Sequence, residues 1–120
     1  MITPTAIDLA SATLATDPFT VADGLVTVQA AYSGVDGGFD IVPLQTNDDS
    51  VYNPVYDYKD EPIVWEIRPA KGITQTMSGN MTFNIPDGLN VLKLKLQCNL
   101  LSGKFGATKG TVAFTVLNEL

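Results

Sequence analysis

Residues 79–101, GNMTFNIPDGLNVLKLKLQCNLL, decide the fold. Met81, Phe83 and Ile85 alternate with Thr82 and Asn84, and Pro86-Asp87-Gly88 then interrupts the pattern. From Val91 a second alternation sets Leu92, Leu94 and Leu96 against Lys93, Lys95 and Gln97. A period of two gives a strand with one buried and one wet face. Lysine stems can cover sheet surface while their ammonium groups stay in water. The stretch therefore reads as strand, tight turn, strand, and this pair is expected at the centre of a β-sandwich.

The same period recurs on either side. In residues 25–32, LVTVQAAY, Val26, Val28, Ala30 and Tyr32 share one face. In 39–45, FDIVPLQ, Phe39, Ile41 and Leu44 are expected to point inward. Pro43 cannot donate to a ladder, so a bulge or an edge with a shift of register is expected there. In 63–68, IVWEIR, Ile63, Trp65 and Ile67 alternate with Val64, Glu66 and Arg68. In 111–117, TVAFTVL, Val112, Phe114 and Val116 alternate with Thr111, Ala113 and Thr115. Residues 51–61, VYNPVYDYKDE, are less regular, and a short strand at 55–58 between loops is expected. Residues 1–18 read as an N-terminal arm or edge strand ending at Asp17-Pro18, loose or docked on a neighbour. Residues 19–120 then form the sandwich, with about seven to nine strands and turn signals roughly every ten residues, an all-β pattern.

Composition narrows the function classes. The chain has 120 residues, which suit one domain, and its 45% hydrophobic content fits a globular chain rather than a disordered one. No apolar run is long enough for a membrane-spanning helix. The first residues show neither a basic n-region nor an apolar h-region, so synthesis in the cytoplasm without a leader is expected. The single cysteine, Cys98, falls on the apolar side of its strand and reads as a buried thiol. There is no histidine. That absence excludes Ser-His-Asp and Cys-His catalysis and imidazole metal sites.

The net charge of −6 is unevenly placed. Residues 1–66 hold eleven acids and one base, a balance of −10, and residues 67–120 hold six bases and two acids, a balance of +4. Either the two halves intermix in one sandwich, or an acidic face and a basic face favour contact between subunits. Nucleic acid is not an expected partner, because the basic residues lack the aromatic interleaving of a stacking platform.

The segments LVTVQAAYSG (25–34), FDIVPLQTNDD (39–49), SGNMTFNIPDGLNVLKLKL (78–96) and SGKFGATKGTVAF (102–114) occur in an order that resembles small discoidin-like or jelly-roll β-sandwich proteins of phage and virus particles. The shared pattern is an alternating strand ending in Tyr/Trp-x-Gly, a strand ending near Asn-Asp, an aromatic before a turn, an arginine-containing strand, and a final Ser-Gly-x-Gly hairpin. The chain departs from it at Thr46 and Asp49, which stand where serine and glycine are usual, and at Lys93 and Lys95, which occupy the arginine strand. Its insert at 51–72 is also longer. The resemblance implies a jelly-roll or discoidin-like fold and a virion component of minor capsid, decoration or spike-base type.

Three site readings follow from the residues. Asn47, Asp48, Asp49, Asp57, Asp60 and Glu61 form an acidic group whose oxygens make calcium a possible ligand, although the D-x-[DN]-x-[DN]-G pattern is absent. Carboxylate pairs such as Asp57 with Glu66, or Asp48 with Asp60, are the only enzymatic prospect, and no enzyme is expected. Tyr52, Tyr56 and Tyr58 read as an interface or a sugar platform, and Trp65 as core. The expected mode of action is assembly with copies of itself or with capsid or tail proteins. In it, loop 47–61 pairs with Lys93, Lys95, Lys104 and Lys109 of a neighbour. The alternative is a carbohydrate-binding or host-recognition module that uses the tyrosines and Asp48, Asp49, Asp57 and Asp60.

Overall fold

The computed structural model describes residues 1–22, 24–69, 75–85 and 93–119. The expected turn at Pro86-Asp87-Gly88 and the start of the second alternation at Val91 and Leu92 lie outside the described residues, as do Asp23 and most of the turn after Pro69. Eight strands are present among the described residues: β1 (Ile7–Asp8), β2 (Gly24–Val35), β3 (Phe39–Thr46), β4 (Asn53–Pro54), β5 (Trp65–Ile67), β6 (Gln75–Ile85), β7 (Lys93–Leu100) and β8 (Thr111–Glu119). They form two antiparallel sheets packed as a single β-sandwich.

The first sheet runs β1-β8-β2-β6. Its inner face is built by the alternation seen in the sequence: Val26, Val28, Ala30 and Tyr32 from β2, Phe83 and Ile85 from β6, and Val112, Phe114 and Val116 from β8 are all buried. In the second sheet β7 pairs with β3 along its whole length, from Thr46↔Lys93 to Phe39↔Leu100. β4 and β5 share the other side of β3, at Leu44–Gln45 and Phe39–Ile41 respectively. Leu94, Leu96 and Cys98 of β7 and Phe39 and Ile41 of β3 complete the core.

The central pair is thus not a hairpin. β6 pairs with β2 in one sheet and β7 with β3 in the other. Alternation fixes which face of a strand is buried, but both inner faces of a sandwich look the same in sequence. Pro43 also departs from expectation, because the β3–β7 register runs through it unbroken. Its carbonyl accepts from Val55 N at 3.2 Å on the side away from β7. The nitrogen without a hydrogen faces the same way, into the gap between β4 and β5, where no ladder donor is needed. With no register shift, Leu44 pairs with Lys95 and shares its outward face, not the inward one.

Residues 2–19 pair with both sheets of their own chain. Ile2 exchanges backbone hydrogen bonds with Val116, and Leu9 N donates to Gly110 O. Asp8 Oδ1 then accepts from Ala10 N in a tight turn. The chain crosses to the second sheet, where Cys98 N donates to Leu14 O and Phe19 exchanges bonds with Leu94. At Thr16 the backbone N donates to Leu96 O, while the buried hydroxyl accepts from Leu96 N at 3.0 Å. One segment therefore closes the outer edges of β8 and β7. Ile7 and Leu9 join the core as it passes.

One end of the sandwich is locked by glycines. Gly38 N donates to Phe105 O, and Gly38 O accepts from Leu101 N and Ala107 N. A Cβ on Gly37 would lie 2.5 Å from Gly106 C, and one on Gly106 would lie 1.8 Å from Leu101 O. Only glycine permits this backbone contact. Asp36 clamps the same end: its carboxylate accepts from Thr108 N, Lys109 N and the Thr108 hydroxyl. The short hydroxyl contact and the two amides hold its pKa well below the usual carboxylate range.

Candidate functional site

The residues singled out in sequence divide into three separate local structures. The first is a turn after β3. Asp48 Oδ1 accepts from Ser50 N, Val51 N and the Thr46 hydroxyl, at 2.9, 3.0 and 3.0 Å. The Val51 and Ser50 amides, and then the Thr46 hydroxyl, lower its pKa to about 2. Asp49 adopts φ 62°, and its carboxylate meets Lys93 Nζ at 3.1 Å. Lys93 is thus engaged by its own chain, not held free for a neighbour's acidic loop.

The second is the outer face of β3 and β7. Lys95 Nζ lies 4.2 Å from the centroid of the Tyr52 ring, a cation–π contact. The third is a small hairpin at 55–63 in place of the expected strand at 55–58. Tyr56 bridges Pro62, Ile63 N donates to Val55 O, and Asp57 N donates to Glu61 O. Asp57 Oδ1 accepts from Lys59 N and Glu61 N, and Asp60 takes φ 65° at the tip. This geometry displays Tyr58 at 92% exposure and Tyr56 at 48%. Val51 and Val64, on either side, are also exposed.

Asp48 and Asp57 spend their carboxylates on their own turns, and among the described residues no three acidic or thiol side chains converge as metal ligands do. One face of the Tyr52 ring is covered by Lys95. Trp65 is half-buried against the core, and a Cβ on Gly79 would lie 3.1 Å from its ring. Acidic and basic halves of the chain intermix, as in Asp49–Lys93 and Asp40–Arg68. Cys98 is buried, and burial pushes its thiol pKa to about 12. Lys104 lies beside the exposed Phe105 ring, at 5.2 Å.

Two features were not singled out in the sequence. Arg68 Nη2 lies 2.8 Å from Asp40 Oδ1, and its Nη1 donates to Phe39 O and Ile67 O, pinning β5 to β3. Between β5 and β6, among the described residues, a cleft of about 420 Å³ is lined by Tyr32, Trp65, Arg68, Met77 and Gly79. The Tyr32 hydroxyl points to Met77 Sδ at 3.4 Å, toward this side. Both need residues far apart in sequence, so only the register reveals them.

No protein-family model matches the chain, and no curated protein matches it. Among the described residues, no helix is long and apolar enough to cross a membrane.

Proposed function

We propose that this chain is a structural component of a phage or virus particle, a minor capsid, decoration or spike-associated protein, acting by protein–protein assembly rather than catalysis. It would be made in the host cytoplasm and reside in the virion. The observation that carries the assembly reading is the hairpin at 55–63, which holds Tyr56 and Tyr58 out of the sandwich on a backbone fixed by its own hydrogen bonds. Exposed tyrosines on a preorganised turn lose little conformational freedom on docking and supply large contact area. Val51 and Val64 extend the apolar surface, and Asp57, Asp60 and Glu61 give it a charged rim. The particle context comes from the sequence resemblance over residues 25–114.

The test is co-sedimentation with particles from the producing host. The wild-type chain is expected in the particle fraction, and the Tyr56→Ala/Tyr58→Ala chain in the free fraction with an unchanged unfolding midpoint. Wild-type chain found wholly in the free fraction would refute the proposal. Binding of the monomer to a glycan array, lost with the same two substitutions, would favour the carbohydrate-binding alternative instead.

A further inference from the structure

Sheet edges are templates for further pairing, and proteins guard them with charge, proline, bulges or covering segments. Three of the four long boundaries here are guarded. The N-terminal arm covers β8 and β7, and β7 also carries Lys93 and Lys95. On the far side of β3, β4 and β5 are only two and three residues long. β6 is different. It has eleven residues, QTMSGNMTFNI, without charge or proline, and no strand among the described residues pairs with its outer side.

We propose that β6 is a self-pairing edge, along which two copies of this chain join antiparallel about a two-fold axis at Asn80 to form one eight-stranded sheet. The axis at the strand midpoint brings all eleven residues into register. On the outer face it sets Asn80 against Asn80, Ser78 against Thr82 and Thr76 against Asn84, polar groups that can hydrogen-bond across the seam. On the inner face it sets Met77 against Phe83 and Gly79 against Met81. Met77 is 51% exposed in the single chain and would be covered. The Met81 side chain of the second copy would lie at the mouth of the cleft lined by Trp65, Met77 and Gly79, against the Trp65 ring that packs over Gly79. Methionine suits such irregular gaps and makes favourable contacts with aromatic rings.

Charge favours a second copy as the occupant. The chain carries −6, so like-with-like contact is opposed over most of its surface. Across the outer face of the first sheet, however, β2, β6 and β8 present Ser33, Ala31, Gln29 and Thr27, then Thr76, Ser78, Asn80 and Thr82, then Thr111, Ala113, Thr115 and Leu117. The positions on β2 and β6, the two strands nearest the seam, carry no charge, and the acids of this sheet, Asp8 of β1 and Glu119 at the end of β8, stand on the strands farther from it, so two copies can approach along β6 without repulsion. The pairing is independent of the hairpin at 55–63.

The test combines solution mass with a register probe on the full chain. Light scattering is expected to give twice 12.8 kDa at low and high salt alike. Asn80→Lys places two ammonium groups directly opposite each other and is expected to give the monomer mass. An equimolar mixture of Asn80→Lys and Asn80→Asp is expected to restore the dimer, and Tyr58→Ala to leave it intact. Asn80→Cys is expected to cross-link to itself under mild oxidation, and Thr82→Cys not to, because its opposite residue is Ser78. A monomeric wild-type chain at high concentration would overturn the proposal. So would an Asn80→Lys dimer, or equal cross-linking at 80 and 82.

Discussion

The two long sides of this sandwich are finished in opposite ways. On one side, residues 2–19 bond to β8 and then to β7, bury Ile7 and Leu9, and use the Thr16 hydroxyl where a backbone acceptor would otherwise stand. On the other side, among the described residues, a cleft lies between β5 and β6 and the longest uncharged strand edge has no partner. The same physical problem, a row of unpaired amides and carbonyls, is solved within the chain on one side. On the other it is left to a second molecule. The difference teaches that the arm belongs to the stability of the single chain, whereas the β6 edge belongs to assembly.

Removing residues 1–19 should break the comparison most severely. Burial of Ile7 and Leu9 contributes about 1.5–3 kcal/mol each, and two sheet edges lose their partners as well. Against a total of roughly 5–15 kcal/mol for a small domain, the truncated chain is expected to be largely unfolded in urea titrations where the full chain is native. A truncated chain with an unchanged midpoint would show that the arm is dispensable.

Thr16→Val tests the same side more finely. It keeps the shape of the side chain and leaves Leu96 N without its acceptor. A buried donor left unpaired costs about 1–3 kcal/mol. The free energy of unfolding should fall by that amount, read as a lower urea midpoint at unchanged slope, with no change in the dimer mass.

Acid should act on the turns before it acts on either side. The folded-state pKa values of Asp36 and Asp48 are depressed, Asp48 to about 2. Such groups contribute stability above their unfolded pKa, near about 3.9, and lose it as pH falls through the folded value. Thermal midpoints are therefore expected to decline from about pH 4 downward. Asp36→Asn should flatten part of that decline while leaving solution mass unaltered. An undiminished slope in that variant would place the acid sensitivity elsewhere.

The smallest effect belongs to Lys93→Gln. Its partner Asp49 is half-exposed, and such surface pairs contribute below about 1 kcal/mol. Neither the particle association nor the dimer should change, which separates this ion pair from both proposed contacts. A loss of either contact would return Lys93 to the role of an intermolecular partner.

Much of the sandwich was legible in the sequence, because period-two alternation needs only local information. The buried faces of β2, β7 and β8 can be read from Val26, Val28, Leu94, Leu96, Val112 and Val116 directly. Which strands pair was not legible. Residues 79–101 look like a hairpin, yet the two strands belong to opposite sheets, since nothing in an alternating strand names its neighbour. Pro43 misled for a similar reason: its missing donor matters only on the side where a ladder runs. The hairpin tyrosines were visible as an aromatic cluster, but the diversion of Tyr52 to Lys95 and of Asp49 to Lys93 needs the β3–β7 register. Arg68 depends on the pairing of β5 with β3 and the cleft at Trp65 on contact between the sheets, and no local pattern marks either.

The most direct measurement is amide hydrogen exchange, residue by residue, at low and high protein concentration. The account predicts that Leu94, Leu96, Cys98 and Val116, whose amides bond to the N-terminal segment, are protected equally at both. It predicts that the outward-directed amides of β6 exchange quickly when dilute and become protected when concentrated. Concentration-independent exchange along β6, or unprotected amides at Leu94 and Cys98, would contradict the division of the molecule into a self-closed side and a side completed by a second copy.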